Sequence, residues 1–284
     1  MRLLTSLRIS IALLSVAFCL VCIGQDKPQF NTASAGVKAT DIEAAMRLLC
    51  SQKHLTRDKD GSVSGCSVCP DGAAFAGDNA SKLEIYAETP GHFTSVQANN
   101  LILSGYGCEP HSNNFGGSYV FSVEAGKARL LHYSAGLITD ECHKFAFADG
   151  REYLICRGGW GGQGEADAYV FTAAFSAAGT ETRKTLLSVR DTTGECGDES
   201  QIERSSEIKG LKFVPADTGQ ITGLTITATM GEVTCGRVAA AEKSKSKGEL
   251  PGVKSYDVEF VFDGKRFTVK PGSRAALNRL TPND

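Results

Sequence analysis

FTSVQANNLILSGYG (residues 93–107) and FAFADGREYLICRGG (residues 145–159) align without a gap, and that match decides how the rest of the chain is read. Phe93 stands over Phe145, residues 101–103 over 153–155, and Gly107 over Gly159. Each copy continues through a glycine-rich stretch into a near-identical segment, SYVF at 118–121 and AYVF at 168–171, while the offset shrinks from 52 to 50 residues. Fainter echoes are KFVPAD at 212–217 and FDGKRFTV at 262–269, the latter close to ADGREYLI at 148–155. Units of about 50 residues that each supply several antiparallel strands are the pattern of β-propeller blades.

The flanking sequence has the same texture. From Lys82 onward KLEIYAE, NLILSGYG, SYVFSVE, ARLLHY, DAYVFTAAF, LTITATM and DVEFVFDGKRFTVK are short runs rich in β-branched and aromatic residues. Gly, Asn and Asp separate them, as in antiparallel sheets. With 31 Gly and only 8 Pro, the turns draw on positive φ rather than on extended proline-rich linkers. One helix is predicted, over 41–54, opened by a capping box of Thr40 and Glu43, with Ile42, Ala45, Met46, Leu49 and Cys50 forming an apolar stripe. The segment 239–252, AAAEKSKSKGELPG, reads as a solvated loop.

The repeat order, a DG turn, an apolar strand, a glycine loop and a second strand, is loosely similar to the blades of the FG-GAP type. The resemblance covers about half the chain and implies a propeller-like architecture. The calcium-binding DxDxDG motif of that family is missing from both copies, which leaves only Asp149–Gly150 in one of them. The expected fold is therefore mainly β, an antiparallel repeat architecture that is β-propeller-like, with one short N-terminal helix. A β-sandwich or two small β domains are the alternatives.

The N-terminus reads as a signal peptide over residues 1–24. Arg2 and Arg8 precede an apolar run at 9–23, too short for the ~20 residues a membrane-spanning helix needs. Cys22 and Gly24 are small enough to sit at −3 and −1 before cleavage at Gln25. A flexible leader follows over 25–38, then one disulfide-bonded β domain over 39–284, with its repeats near 91–124 and 143–175. Losing two arginines moves the net charge from −2 to about −4, without a basic stripe, so nucleic acid is not an expected partner. No membrane span is expected after signal removal.

Eight cysteines remain after that cleavage, an even number that favours disulfides in an exported chain. A hairpin closing at 148–150 sets Cys142 opposite Cys156. Cys196 with Cys235 is the second expected pair, by default. The CSVC at Cys66–Cys69 lacks the βαβ surroundings of a redox site and reads as structural.

Chemistry is expected where the two copies present equivalent loops, CEPHSNNFGG (108–117) and RGGWGGQGEAD (157–167). They carry the candidate ligand-binding residues Glu109, His111, Asn113, Asn114, Arg157, Trp160, Gln163 and Glu165. Trp160, the only tryptophan, stands in a glycine run with little bulk to cover it. A flat apolar ring beside amides, a carboxylate and an arginine is how a glycan or peptide is gripped. The same residues also fit a plainer role, in which the glycines make turns and Trp160 plugs a core. RDKDGSVSG (57–65) alternates oxygen donors, yet position 12 of a calcium loop begun at Asp58 is Cys69, so a solvated turn is expected. No GxSxG, HExxH or P-loop is present, and no cofactor is expected. The preferred function is a secreted binding protein for an extracellular glycan, peptide or protein; the alternative is an extracellular hydrolase using His111 and a carboxylate.

Overall fold

The computed structural model describes residues 37–70, 82–108, 116–216, 220–244, 250 and 252–281. They belong to one compact unit, 31–284. Residues 1–24, read as a signal peptide, most of the leader and the candidates Glu109, His111, Asn113 and Asn114 lie outside the described residues.

Helix α1 (Ala39–Leu49) starts earlier and stops earlier than the sequence predicts. Asp41 explains the start. Its Oδ2 accepts from Lys38 N–H at 2.8 Å, capping the first turn, and its Oδ1 accepts from Gly126 N–H, also at 2.8 Å. Glu43, expected in the capping box, instead binds Arg47 and Arg57. The predicted stripe holds: Ala45, Met46, Leu49 and Cys50 are buried.

The strands of the described residues form three sheets, each a meander of sequence neighbours. Sheet 1 is β1 (Leu55–Arg57), β2 (Val63–Cys66), β3 (Leu83–Gly91), β4 (Asn100–Tyr106), β5 (Gly117–Glu124) and β6 (Lys127–Ala135). Sheet 2 is β7 (Cys142–Ala146), β8 (Glu152–Gly162), β9 (Glu165–Phe175) and β10 (Glu181–Asp191). Sheet 3 is β11 (Ile202–Pro215), β12 (Ile221–Thr234), β13 (Lys254–Phe262) and β14 (Phe267–Val269). Helix α2 (Cys235–Ser244) follows β12, and α3 (Arg274–Leu280) ends the described chain. The first six residues of the segment read as a loop, 239–244, are thus helical; an AAAE run has the propensity, with no stripe to announce it.

The sheets are layered. Leu101, Leu103, Tyr119 and Phe121 pack on α1, while Ile102 and Val120, one residue out of phase, pack on Leu154, Cys156 and Phe171 of sheet 2. Burial on both faces explains why β4 reads as a continuous LIL run instead of alternating. Sheet 2 turns its other face to sheet 3, where Phe145 meets Phe262 and Phe267 edge-on and His143 lies against Phe213. Because α1, not a further sheet, covers the outer face of sheet 1, the three sheets do not close into a ring.

The internal repeat has a limited structural meaning. Both copies occupy adjacent strand pairs, β4–β5 and β8–β9. Leu103 pairs with Tyr119, but their equivalents Ile155 and Tyr169 pair with Thr172 and Gly158. That three-residue slip is odd, so equivalent side chains part to opposite faces. The fainter echo is the truer one. The Asp149–Gly150 and Asp263–Gly264 turns both close hairpins with Gly at positive φ, and Ala148 N–H donates to Gly264 O at 3.2 Å.

All eight cysteines after Cys22 are paired: Cys50–Cys66, Cys69–Cys108, Cys142–Cys156 and Cys196–Cys235. The first ties the end of α1 to β2; the third joins directly opposed residues of the β7–β8 hairpin. Four disulfides fit an oxidising, extracellular environment.

Candidate functional site

Residues 157–167 are strand, not loop. β8 runs on to Gly162 and β9 begins at Glu165, so only Gln163 and Gly164 turn, at φ +53° and +92°. Positive φ at both central residues is the hairpin turn whose twist matches the strands. In sequence a glycine-rich run reads as loop because its glycines have no side chains to alternate; pairing with β9 makes it strand all the same.

Alternation then divides the candidates. Gly158, Trp160 and Gly162 share the face turned toward sheet 1, and Arg157 belongs to the opposite face. Tyr169 lies across Gly158 so closely that an added Cβ would stand 2.5 Å from the ring, and a Cβ on Gly162 would stand 3.3 Å from Trp160. The glycines are thus seats for two aromatic rings. Trp160 keeps 41% of its surface exposed and does not plug a core.

Between this end of sheet 2 and the β6–β7 connection opens a cleft of about 350 Å³. Gly158, Trp160, Tyr169 and Phe171 form one wall, and Gly136, Ile138, Asp140 and Glu141 form the other. Arg183 clasps the two together. Its guanidinium donates to Ala135 O at 2.7 Å and Gly136 O at 3.3 Å, pairs with Glu181, and stacks over Phe171 at 5.5 Å. Arg157 reaches the cleft from the far side of β8, 3.8 Å from Glu141, while donating to Ile208 O of sheet 3. Buried hydroxyls hold the opposite wall: Ser104 Oγ bonds both Ser118 and Thr139 at 2.7 Å, and Ser118 Oγ donates to Leu137 O.

The structure therefore brings Arg157 and Trp160 to one cleft. Gln163 sits at the hairpin tip, and Glu165 lies opposite Gly162 on the Trp160 face; neither lines the cleft. Gly116, in the described end of the glycine-rich segment 108–117, accepts from Gly136 N–H at 2.9 Å, which places residues 116–117 against a cleft wall. Asp140, Glu141, Tyr169, Phe171 and Arg183 were missed by sequence reasoning. Only Tyr169 and Phe171 carried a signal, as part of the repeated AYVF.

The other candidate chemistry resolves into turns. Asp60 Oδ1 accepts from Ser62 N–H and Oγ–H, as expected of a solvated turn, and Asp198 does the same for Ser200. Among the described residues no group of His, Cys, Asp and Glu is placed to hold a metal, and no helix is long and apolar enough to cross a membrane. Compared with known protein families, with curated proteins and with solved structures, the chain matches none of them.

Proposed function

We propose that this chain is a secreted, disulfide-stabilised binding protein that takes an extracellular glycan, peptide or protein ligand at the Trp160 cleft. Its three meanders act as an open, propeller-like array of packed sheets. Trp160 carries the reading. The sole tryptophan of the chain is half exposed at the rim of a concave site, seated on glycine, beside Arg157 and the Asp140–Glu141 pair. Rigid aromatic area next to a few charged groups is the usual composition of a recognition site. The rival reading, an extracellular hydrolase, rests on His111 and a carboxylate; His111 lies outside the described residues, and the described histidines, His54, His92, His132 and His143, are not among the residues that line the cleft.

Because Trp160 is the only indole, its fluorescence reports on the cleft without labelling. Glycan and peptide arrays probed with the oxidised mature chain supply candidate ligands. A true ligand shifts the emission on titration, and Trp160→Ala weakens its binding by about tenfold or more. Ligands that bind the wild type and Trp160→Ala equally, with no emission change, would remove the cleft from the proposal.

A further inference from the structure

The edge of β8 beside the cleft is bare backbone. β7 pairs with only the first five residues of the eleven in β8, from Ala146↔Glu152 to Cys142↔Cys156. Past that rung, Arg157 N–H donates to Glu141 O at 3.3 Å. Among the described residues no strand then pairs with 158–162 on this side, and β9 is their one ladder. Alternation fixes which groups are left over. Gly159 and Gly161 point their N–H and C=O the same way as Arg157, toward the vacant side. Gly158, Trp160 and Gly162 bond β9, as a two-residue turn requires of the Gly162–Glu165 pair that flanks it. Two donors and two acceptors, about 7 Å apart along the strand, therefore face outward from exposed residues.

Exposed sheet edges normally carry a lysine, a proline, a bulge or a cover. Residues 158–162 are four glycines and Trp160, in unbroken register with β9. Alternating donors and acceptors at strand spacing are matched by one kind of molecule, another extended chain.

Resting on the cleft reading, we propose that the free edge of β8 is a docking strand for an extended, basic peptide segment of a partner protein. The segment extends sheet 2 beyond Cys142 and lays alternate side chains against Trp160 and Tyr169. The basic character follows from the rim. Asp140 and Glu141 stand where β7 stops, while the two arginines of the cleft are already engaged, Arg183 by Glu181 and the Ala135 and Gly136 carbonyls, Arg157 by Ile208 O, with Glu141 only at 3.8 Å. A glycan offers no row of groups at this spacing. A second copy of the chain fits less well, because it would bring its own Asp140 and Glu141 against the same acidic rim.

The test uses the oxidised mature chain, a library of short linear peptides and, in parallel, a glycan array. The expected result is a set of Lys- or Arg-bearing peptides that bind with Trp160 dependence and slow amide exchange at Gly159 and Gly161. Gly161→Pro removes one outward N–H without touching the β9 ladder and weakens these peptides about tenfold. Gly161→Ala retains that N–H, and its methyl group meets nothing closer than 3.6 Å, so binding stays within about twofold. Peptides or glycans that depend on Trp160 yet leave both amides unprotected would overturn the docking strand while sparing the cleft. Failure to find any Trp160-dependent ligand overturns both. Protection of the same amides by concentration-dependent self-association, with no peptide added, replaces the partner segment with a second copy.

Discussion

Gly158 is where a single hydrogen atom decides the site. Its missing side chain admits Tyr169 across the strand, and the two residues are directly paired. A methyl group there would stand 2.5 Å from Cε2 and 2.8 Å from Cζ of the ring, so Tyr169 has to leave. Gly158→Ala is therefore expected to destabilise the fold by about 1–3 kcal/mol through overpacking, measured by urea unfolding. It should also weaken any cleft ligand, since Tyr169 is a wall. A substitution that left the unfolding midpoint unmoved would show that the ring has room to swing aside. Asn100 makes the same point in polar terms. Its Oδ1 accepts from Phe93 N–H, Thr94 N–H and Thr94 Oγ, and its Nδ2 donates to Phe121 O. A fully buried amide with its bonds filled orders the 93–99 connection. Nothing in the bare sequence separates it from the exposed asparagine of an ordinary turn.

At the scale of the element, the β7–β8 hairpin shows what sequence could and could not supply. Its turn, its register and its disulfide were legible, because a DG pair, flanking apolar residues and symmetric cysteines each constrain the same local geometry. Its extension to Gly162 was not, since a polyglycine-like run carries no periodicity, and only β9 makes it strand. Helix α2 was hidden for a related reason: it has one buried residue, Cys235, and so no apolar stripe. The candidate site was legible to the same extent. An isolated tryptophan among glycines is a local oddity, whereas Asp140, Glu141 and Arg183 reach the cleft only through the packing of sheet 1 on sheet 2. The hairpin also yields a prediction. Cys156 is fully buried, and Cys142 fastens the rung where β7 ends. Replacing both by Ala opens a loop of sequence separation 14, and the expected cost is about 2–4 kcal/mol. Urea unfolding of the otherwise oxidised chain measures it. Fraying should begin at Cys142, so faster amide exchange at Arg157, whose N–H is held by Glu141, is the local signature; unchanged exchange there would place the cost elsewhere.

Across the whole molecule, stability depends on layers that share side chains. Sheet 1 is buried by α1 on one face and by sheet 2 on the other, and the second core is where the layers are joined. Phe93 is its keystone. It projects from the β3–β4 connection, is fully buried, and meets Phe175 of sheet 2 with ring centroids 5.5 Å apart, tilted by 53°. Gly91 makes room for it, as an added Cβ would lie 2.5 Å from the ring. Glu152 of sheet 2 clamps the neighbouring residue, accepting from His92 N–H at 2.6 Å. Phe93→Ala should therefore cost about 3–5 kcal/mol, the transfer of a phenyl ring plus the cavity it leaves. The more discriminating expectation concerns cooperativity. If the shared core couples the sheets, Trp160 fluorescence, which reports on sheet 2, and far-UV circular dichroism, which reports on all three, follow one urea transition in the wild type. In Phe93→Ala the coupling weakens, and the fluorescence transition should separate from the dichroism. Two transitions already present in the wild type would mean that sheet 2 is held by sheet 3, through Phe145, Phe262 and Phe267, and owes little to the core around Phe93.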